Sequence, residues 1–248
     1  MKRIAQILIL IVGVSLLAGC GGSNEAAANA DGLAEFNEQG IAVLRGNLAG
    51  SSTSAGRDSE TVRVEVPVKM DGMDVVVSVP FQLPRNAIIA SSLTKQTDVL
   101  EYLSFNKSSS VFNAFPDYAL VDVTFRKQAG VFVAISVVEA EKGFSLFSRE
   151  PELAPVFSMD NFSQGSLQGR ITEAYQDNGG LLLWKIAVPT SMQGLPVDVV
   201  LPVYAAADTQ VVNTGDTIVT LDRISGNVQI DFTRRGDELT AHQITELP

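Results

Sequence analysis

Short runs of alternating apolar and polar residues dominate the chain from about residue 40 onward. A period of two residues is typical of β-strands that are buried on one face. The pattern predicts five strands in each half of the chain. The first five are Ile41–Leu48, Thr61–Val68, Asp74–Phe81, Tyr118–Phe125 and Val131–Glu139, and the second five are Ser166–Ala174, Leu181–Val188, Pro196–Val203, Thr217–Ile224 and Asn227–Phe232.

One stretch departs from this alternation and indicates a helix. Residues Ser92–Leu103 place four apolar side chains at helical spacing, with Thr94 or Ser92 as the cap. In the second half the corresponding stretch shrinks to Ala205–Val212. The chain is therefore expected to be all-β with one short helix.

The two sets of strands repeat one sequence pattern. The longest match is free of gaps, and seven of its 16 positions are identical. Two shorter matches precede it in the same order, which predicts an internal duplication. The matched segments are Val66–Phe81 with Val188–Val203, Leu44–Leu48 with Leu167–Ile171, and Phe36–Gly40 with Phe162–Gly165.

The order of elements resembles the OB fold, a small and partly open Greek-key barrel. Each copy has five strands and a glycine within the first strand, and the first copy has a helix between strands three and four. The resemblance is one of layout and extends over both copies. It implies two tandem five-stranded OB-like barrels related by duplication. A β-sandwich is the alternative, because several short strands at regular spacing also suit that fold.

The first 20 residues have the arrangement of an export signal. A basic start at Met1-Lys2-Arg3 precedes an apolar run, Ile4–Leu17, that is shorter than the roughly 20 residues needed to span a bilayer. The ending Leu17-Ala18-Gly19-Cys20 resembles the lipobox of bacterial lipoproteins. That resemblance implies cleavage before Cys20 and lipid on its thiol, which would hold the protein on a membrane.

The residue after the cysteine bears on the location. In Gram-negative lipoproteins an aspartate there typically retains the protein at the inner membrane, and this chain has Gly21. The resemblance therefore implies an envelope protein at the outer membrane. Because Cys20 is the one cysteine, no disulfide framework is expected.

These patterns divide the chain into six segments. Residues 21–32 are small and polar and are expected to form a tether that spans about 17–21 Å as a coil. The segments are a signal peptide (1–19), the lipidated cysteine with its tether (20–32), a first OB-like unit (33–148), a linker (149–161), a second OB-like unit (162–235) and a C-terminal tail (236–248).

The charge of the chain bears on its partners. The whole chain has a net charge of −10, and without residues 1–19 it has 18 − 2 = 16 basic and 28 acidic residues, which gives −12. Such a chain gains nothing from counterion release on a phosphate backbone, so nucleic acid is not expected as a partner. Lipid on Cys20, rather than charge, is expected to provide the contact with the membrane.

Alternation also assigns the faces of the strands. Trp184 falls in phase with the apolar set and is expected in the core. The opposite face carries Arg63, Glu65, Lys185 and Asp198. OB barrels usually bind through this face and the loops beside it, so these four residues are the candidate ligand-binding residues.

Catalysis has few candidate groups. The single histidine, His242, lies near the end and is expected in a solvated tail, which leaves no Ser-His-Asp triad and no metal site. The pairs Asp71/Asp74 and Glu139/Glu141 were considered for glycan hydrolysis, which needs two carboxyl groups about 5–9.5 Å apart and one raised pKa. Their places at a turn and a strand end favour solvated surface. No catalytic residue and no cofactor is expected.

The sequence favours a non-enzymatic envelope lipoprotein that binds an envelope protein or a small ligand. A carboxylate-dependent hydrolase of envelope glycan and a structural spacer are the alternatives. Two acidic side chains in one pocket would favour the hydrolase over the binding protein.

Overall fold

The protein is mostly β. The computed structural model describes residues 30–53, 59–107, 110–141, 151–160, 163–176, 182–213, 224 and 226–248. These contain one α-helix, α1 (Val99–Asn106), and two short 3-10 helices, Asp31–Leu33 and Val111–Ala114. The strands are β1 (Ile41–Thr53), β2 (Ser59–Met70), β3 (Met73–Pro84), β4 (Ile88–Ser91), β5 (Thr94–Asp98), β6 (Leu120–Gln128), β7 (Val131–Glu139), β8 (Glu152–Leu153), β9 (Ser158–Met159), β10 (Gln164–Gln176), β11 (Leu182–Met192), β12 (Leu195–Val212), β13 (Asn227–Arg235) and β14 (Glu238–Glu246).

All the described strands belong to one mixed sheet. A β-sandwich needs two separate sheets packed face to face, so that alternative is wrong. The prediction of a mostly β fold with one helix is confirmed.

Five strands in the first half of the chain pair in a closed circuit. Strand β1 pairs antiparallel with β2 and with β6, β2 pairs with β3, and β6 pairs with β7. The circuit closes where β3 and β7 meet in parallel at Gln82 and Val133. Strands β4 and β5, helix α1 and the second 3-10 helix lie between β3 and β6 in the chain.

Five strands in the second half pair in the same way. Strand β10 pairs antiparallel with β11 and β13, β11 pairs with β12, and β13 pairs with β14. Strands β12 and β14 close the circuit in parallel, and Tyr204 lies opposite Thr240 there. The two halves therefore have the same strand connections.

The hairpins of the two halves also share their register. Met70 pairs with Met73 across the β2–β3 turn, and Met192 pairs with Leu195 across the β11–β12 turn. An offset of 122 residues (192 − 70) relates the two pairs. The matching turn residues, Asp71-Gly72 and Gln193-Gly194, all have positive φ. Met70 and Met192 are both fully buried, so these aligned residues have equivalent environments.

Two irregularities in the ladders recur at equivalent positions. The register shifts just after Leu48 in β1 and just after Ile171 in β10, which are 123 residues apart. It shifts again just after Thr124 in β6 and Asp231 in β13, which are 107 residues apart. Bulges of this kind are specific features of a fold. Their recurrence shows that the two halves share backbone geometry as well as amino-acid sequence.

One detail of the sequence alignment was wrong. Phe36 packs edge-on against Phe125 with 5.5 Å between ring centroids, and Phe157 packs edge-on against Phe232 at 5.4 Å. Phe125 and Phe232 are equivalent by the offset of 107. The counterpart of Phe36 is therefore Phe157, whereas the sequence alignment used Phe162, which lies outside the described residues.

Strands β3 and β12 join the two circuits. They pair antiparallel, with Val77 opposite Val199 and with Ser78 opposite Asp198. Val77 and Val199 are equivalent residues, because 199 − 77 = 122. An approximate two-fold axis therefore passes through this pair, perpendicular to the sheet, and relates one half of the chain to the other.

Contacts away from the strand pair obey the same symmetry. Lys127 Nζ donates to the carbonyl oxygen of Gln193 at 2.6 Å. On the other side of the axis, the guanidinium of Arg234 contacts the carboxylate and the carbonyl of Asp71. Lys127 is equivalent to Arg234, and Asp71 to Gln193. Each half thus places one cation on the hairpin turn of the other half.

The segment that leads into each half lies on the other half. The Ala30 N–H donates to the Ser191 carbonyl at 2.7 Å, and the Lys69 N–H donates to the Pro151 carbonyl at 2.8 Å. Lys69 and Ser191 are equivalent residues. Ala30 is fully buried, so the last residues of the expected tether (20–32) are packed against the fold. The earlier tether residues lie outside the described part.

The expected linker and C-terminal tail are strands in the structure. Within 149–161, β8 pairs with β2 and β9 pairs with β10. Most of 236–248 forms β14, which pairs with both β12 and β13. The tail prediction was wrong because Gly236, with a φ of 66°, turns the chain back into the sheet. The predicted strand Thr217–Ile224 lies outside the described residues, apart from Ile224.

Both helix predictions differ from the structure: the first helix begins later than predicted, and the second stretch is a strand. Asp98 caps α1, because its side chain accepts from the Glu101 N–H, while Thr94–Asp98 pairs with β4 as a strand. In the second half, Ala205–Val212 is part of β12. Among the described residues no helix is long and apolar enough to span a membrane.

Gly46 offers a test of the close packing between strands. A Cβ at Gly46 would lie 2.5 Å from the carbonyl oxygen of Glu65, whereas a Cβ at Gly50 in the same strand would meet nothing within 4 Å. We expect Gly46→Ala to lower the free energy of unfolding by about 1–3 kcal/mol. Gly50→Ala, the control, should change it by less than about 0.5 kcal/mol. Urea unfolding followed by Trp184 fluorescence measures both; equal effects would contradict the packing argument.

Candidate functional site

The outward sides of the two halves form one continuous surface. Because the two-fold axis is perpendicular to the sheet, outward residues of β3 and β12 point to the same side. We call the surface around the Val77–Val199 pair the seam face. Its charged and polar residues are Arg63 and Glu65 on β2, Ser78 on β3, Asp198 on β12, Lys185 on β11, and Arg170 and Glu173 on β10.

A charged group on the seam face links both halves. Asp198 Oδ2 lies 3.7 Å from Arg63 Nη1 and 3.7 Å from Arg170 Nη2. The arginine side chains are about half exposed, whereas that of Asp198 is 24% exposed. Two guanidinium groups face one carboxylate here, while the seam face as a whole carries three cations and three carboxylates.

A second charged group lies beside the first. Lys185 Nζ is 2.8 Å from Glu173 Oε2 and 6.0 Å from the centroid of the Tyr175 ring. The hydrogen bond to Glu173 raises the pKa of Lys185 against the opposing effect of burial. Lys185 therefore stays charged at neutral pH, with one of its acceptors on the neighbouring strand.

Glu65 is the perturbed acid of this face. Burial raises the pKa of its carboxyl most, Lys185 lowers it, and Glu173 raises it again. The residue alternates with Val64 and Val66, which face the core, so strand geometry directs its side chain outward. A half-buried carboxyl with a raised pKa is a feature of binding sites and active sites alike.

The strand registers place Glu65 and Asp198 in one row. Glu65 lies opposite Ser78, and Ser78 lies opposite Asp198. With about 4.8 Å between neighbouring strands, the two acidic residues are about 10 Å apart at the backbone. Ser78 between them is buried, although it is polar.

All four residues that the sequence nominated lie on this face. Arg63 and Asp198 meet across the seam, and Glu65 and Lys185 interact electrostatically. The sequence did not nominate Arg170 and Glu173, because only the pairing of β10 with β11 brings them beside Lys185. Alternation along β10 was the sequence signal that could have found these two residues. It shows which face of a strand a residue lies on, but not which strands are its neighbours.

The other acidic pairs contact groups outside the clusters around Asp198 and Lys185. Asp71 contacts Arg234, and Asp74 Oδ1 is 2.5 Å from Lys69 Nζ; both aspartates are more than half exposed. Glu139 accepts from the Ser92 N–H. These side chains have partners at the surface, and none of them shares a site with Glu65.

His242 and Trp184 have clear surroundings. His242 is exposed on β14 beside the Thr233 hydroxyl, so it lies in a strand and not in the expected tail. Trp184 is 2% exposed, which confirms its place in the core, and its Nε1 has no hydrogen-bond partner among the residues that the structure describes. Within the described residues no three His, Cys, Asp or Glu side chains are grouped to hold a metal ion.

Comparison with known proteins gives weak likenesses. No family model and no curated protein matches the chain. Among solved structures it is similar to a deletion mutant of the single-stranded DNA binding protein from Thermus aquaticus, at 11% identity and a TM-score of 0.19, with 87% of this chain and 85% of that chain covered. The wild-type form of that protein matches at 13% identity and a TM-score of 0.17, with 87% and 84% covered.

The exclusion of nucleic acid needs correction. The matched proteins are named for binding single-stranded DNA, which contradicts the expectation that nucleic acid is ruled out. The expectation relied on the net charge of −10, which averages over the whole chain. That average does not describe the seam face, where three cations and three carboxylates balance. The strand pairings themselves show a mostly β chain with one mixed sheet.

Glu65 makes stability depend on pH in a defined direction. Its folded pKa is raised above the ordinary 4.5, so the folded state holds this proton more tightly than the unfolded state does. Folded protein therefore loses stability as the pH rises through that range. We expect Glu65→Gln to unfold at a higher urea concentration than wild type at pH 7. The gain in the free energy of unfolding should be less than about 1 kcal/mol, because the site is partly solvated. The gain should vanish below about pH 4.

The control is Glu141→Gln, which removes one negative charge from an exposed residue. Urea titrations of the three proteins across this pH range provide the comparison. A Glu65→Gln protein that is less stable than wild type at pH 7 would show that contacts of the carboxylate outweigh its burial.

Proposed function

We propose that the chain consists of two OB-like barrels that arose by duplication of one five-stranded unit. The support is the equivalence of every main pairing: the same circuit, the same hairpin registers and the same two bulges. The parallel closure of each circuit, at Gln82 in one half and Tyr204 in the other, is the layout of an OB barrel.

We propose further that the protein is an envelope lipoprotein anchored through Cys20, at the outer membrane. The support is the order of the first 20 residues, which lie outside the described part of the chain. Because Ala30 is packed on the fold, the tether is limited to residues 21–29. Such a segment spans about 15–18 Å as a coil, so the barrels would sit close to the lipid.

The function that we propose is binding of an envelope protein or a small ligand through the seam face, without catalysis. The single observation that carries this proposal is the bridge of Asp198 to Arg63 and Arg170, which joins the ligand-facing sheets of both units. Two barrels aligned in this way offer a surface twice as wide as either alone, with charges of both signs at its centre.

A hydrolase is supported less well. Its one favourable feature is the raised pKa of Glu65, which acid catalysis requires. However, Glu173 and Asp198 each lie beside a cation on an open sheet. Lys185 lowers the pKa of Glu65 and also pairs with Glu173, so one cation interacts with both carboxyl groups. A pair of carboxylates that flanks a sugar bond needs an enclosing cleft, and the seam face is a broad sheet surface.

Lipid attachment has a direct test. Cys20→Ser should abolish both lipid attachment and cleavage before residue 20, because the thiol is the lipid acceptor. Cells grown with an alkyne fatty acid would label the wild type and not the variant. Equal labelling of the two proteins would rule out the anchor proposed here.

Partner binding has a second test. We expect the double variant Arg170→Gln with Lys185→Gln to recover about tenfold less crosslinked partner from intact cells, because charge-assisted contacts of these two cations with the partner would be lost. Lys95→Gln, on exposed β5, is the matched control and should recover as much as wild type. Mass spectrometry identifies and quantifies the captured proteins.

Three outcomes would contradict the proposed function. Equal capture by the double variant would move the binding site away from the seam face. Glycan hydrolysis that Glu65→Gln abolishes would make the protein an enzyme. Binding of single-stranded DNA that the double variant weakens would replace the protein or small-molecule partner with nucleic acid.

A further inference from the structure

A small apolar cleft lies where the first unit meets the hairpin of the second. Its volume is about 150 Å³, and its walls include Pro80, Gln82, Gly130, Phe132, Leu195 and Pro196. An apolar cavity of about this size holds one benzene molecule. The cleft therefore fits a single ring or a single branched aliphatic side chain.

The two-fold relation shows that this cleft is specific to one side of the molecule. On the other side of the axis, the offset of 122 makes Tyr204 the equivalent of Gln82 and Asp74 the equivalent of Pro196. The duplicated position thus has a bulkier ring and an acid in place of an amide and a proline. The two units share a backbone here, but only the first combines small and apolar walls.

The turn between β6 and β7 adds to the difference. By the offset of 107, Gly130 and Val131 correspond to Asp237 and Glu238. The cleft side therefore has Pro196, Gly130 and Val131 at the three positions where the other side has Asp74, Asp237 and Glu238. A carboxylate of a ligand would meet repulsion on the second side and not on the first.

Two cations flank the cleft. Arg63 lies directly opposite Pro80 in the β2–β3 ladder, so their side chains share one side of the sheet. Lys127 lies opposite Phe132, and its ammonium reaches the Gln193 carbonyl just before Leu195. Arg63 also faces Asp198 at 3.7 Å, so a ligand carboxylate would share this guanidinium with Asp198. Apolar walls beside Arg63 and Lys127 are complementary to an apolar group that carries a carboxylate.

We propose that this cleft takes the C-terminal residue of a partner peptide, with its apolar side chain in the cleft and its carboxylate toward Arg63 and Lys127. The proposal rests on the proposed binding function and specifies the chemistry of the partner. The rest of the peptide would extend over the seam face, past Asp198 and its two arginines.

The test uses the full chain in detergent micelles, with micelles alone as the blank, and isothermal titration calorimetry. The probe is the dipeptide N-acetyl-Ala-Leu, and its C-terminal amide reports on the carboxylate. We expect the acid to bind about tenfold more tightly than the amide.

Two variants and one matched control locate the site. Gln82→Tyr gives the cleft the ring of the other unit, and Pro196→Asp gives its rim the acid of the other unit. Each should weaken binding of the acid by about tenfold or more. Tyr204→Gln makes the reverse exchange in the second unit and should leave affinity within about twofold of wild type. Pro196→Asp changes an exposed residue, so it tests the cleft even if Gln82→Tyr does not fold.

The results separate this inference from the proposed function. No heat with the wild type, equal binding of acid and amide, unchanged binding by Pro196→Asp, or an equal loss in Tyr204→Gln would each overturn the cleft as a C-terminus site. If partner capture in cells still depends on Arg170 and Lys185 in that case, the binding function stands without the cleft. If the probe binds normally but partner capture does not depend on Arg170 and Lys185, the cleft stands as a C-terminus site and the proposed binding through the seam face is wrong.

Discussion

The pairing of β3 with β12 is the constraint on which the rest of the structure depends. Each of these strands is used twice. Its first part pairs with the other strand around Val77 and Val199, and its second part closes its own circuit in parallel, at Gln82 or Tyr204. A strand that served only its own circuit would leave a row of unpaired N–H and C=O groups at an edge. The mutual pairing satisfies both edges with one set of hydrogen bonds.

Because equivalent residues meet at this pair, several other contacts between the halves occur twice. The cations Lys127 and Arg234 reach opposite turns, and the leading segments at Ala30 and Pro151 cross to opposite halves. Such reciprocal contacts are the pattern of a symmetric dimer interface. The chain has the geometry of two subunits whose contacts have become intramolecular, which removes the entropic cost of association.

Locally determined features were predictable from the sequence, and features set by distant neighbours were not. The hairpins at Asp71-Gly72 and Gln193-Gly194 follow from turn residues that accept positive φ. Helix α1 was placed too early, because pairing with β4 makes Thr94–Asp98 a strand before the Asp98 cap takes effect. Strand β14 was missed because its bulge near His242 breaks the alternation that reveals a strand. Alternation alone placed the four candidate residues on the outward face, whereas the joining of the two outward faces depends on the pairing of β3 with β12.

Comparison of the two halves separates positions at which residues recur from positions at which they differ. Inward residues such as Met70 and Val77 recur in the second half, because a close-packed interior tolerates little change in volume. The outward residues that recur are prolines, Pro67 and Pro80, which act through the chain conformation. The remaining outward positions differ: Glu65 corresponds to alanine and Ser78 to valine. A surface that had no partner would be free to drift to any solvated residue, yet the differing residues here are half-buried and joined in charge networks across the axis. An asymmetric ligand of the kind proposed above would contact both halves at once and would favour different residues on the two faces.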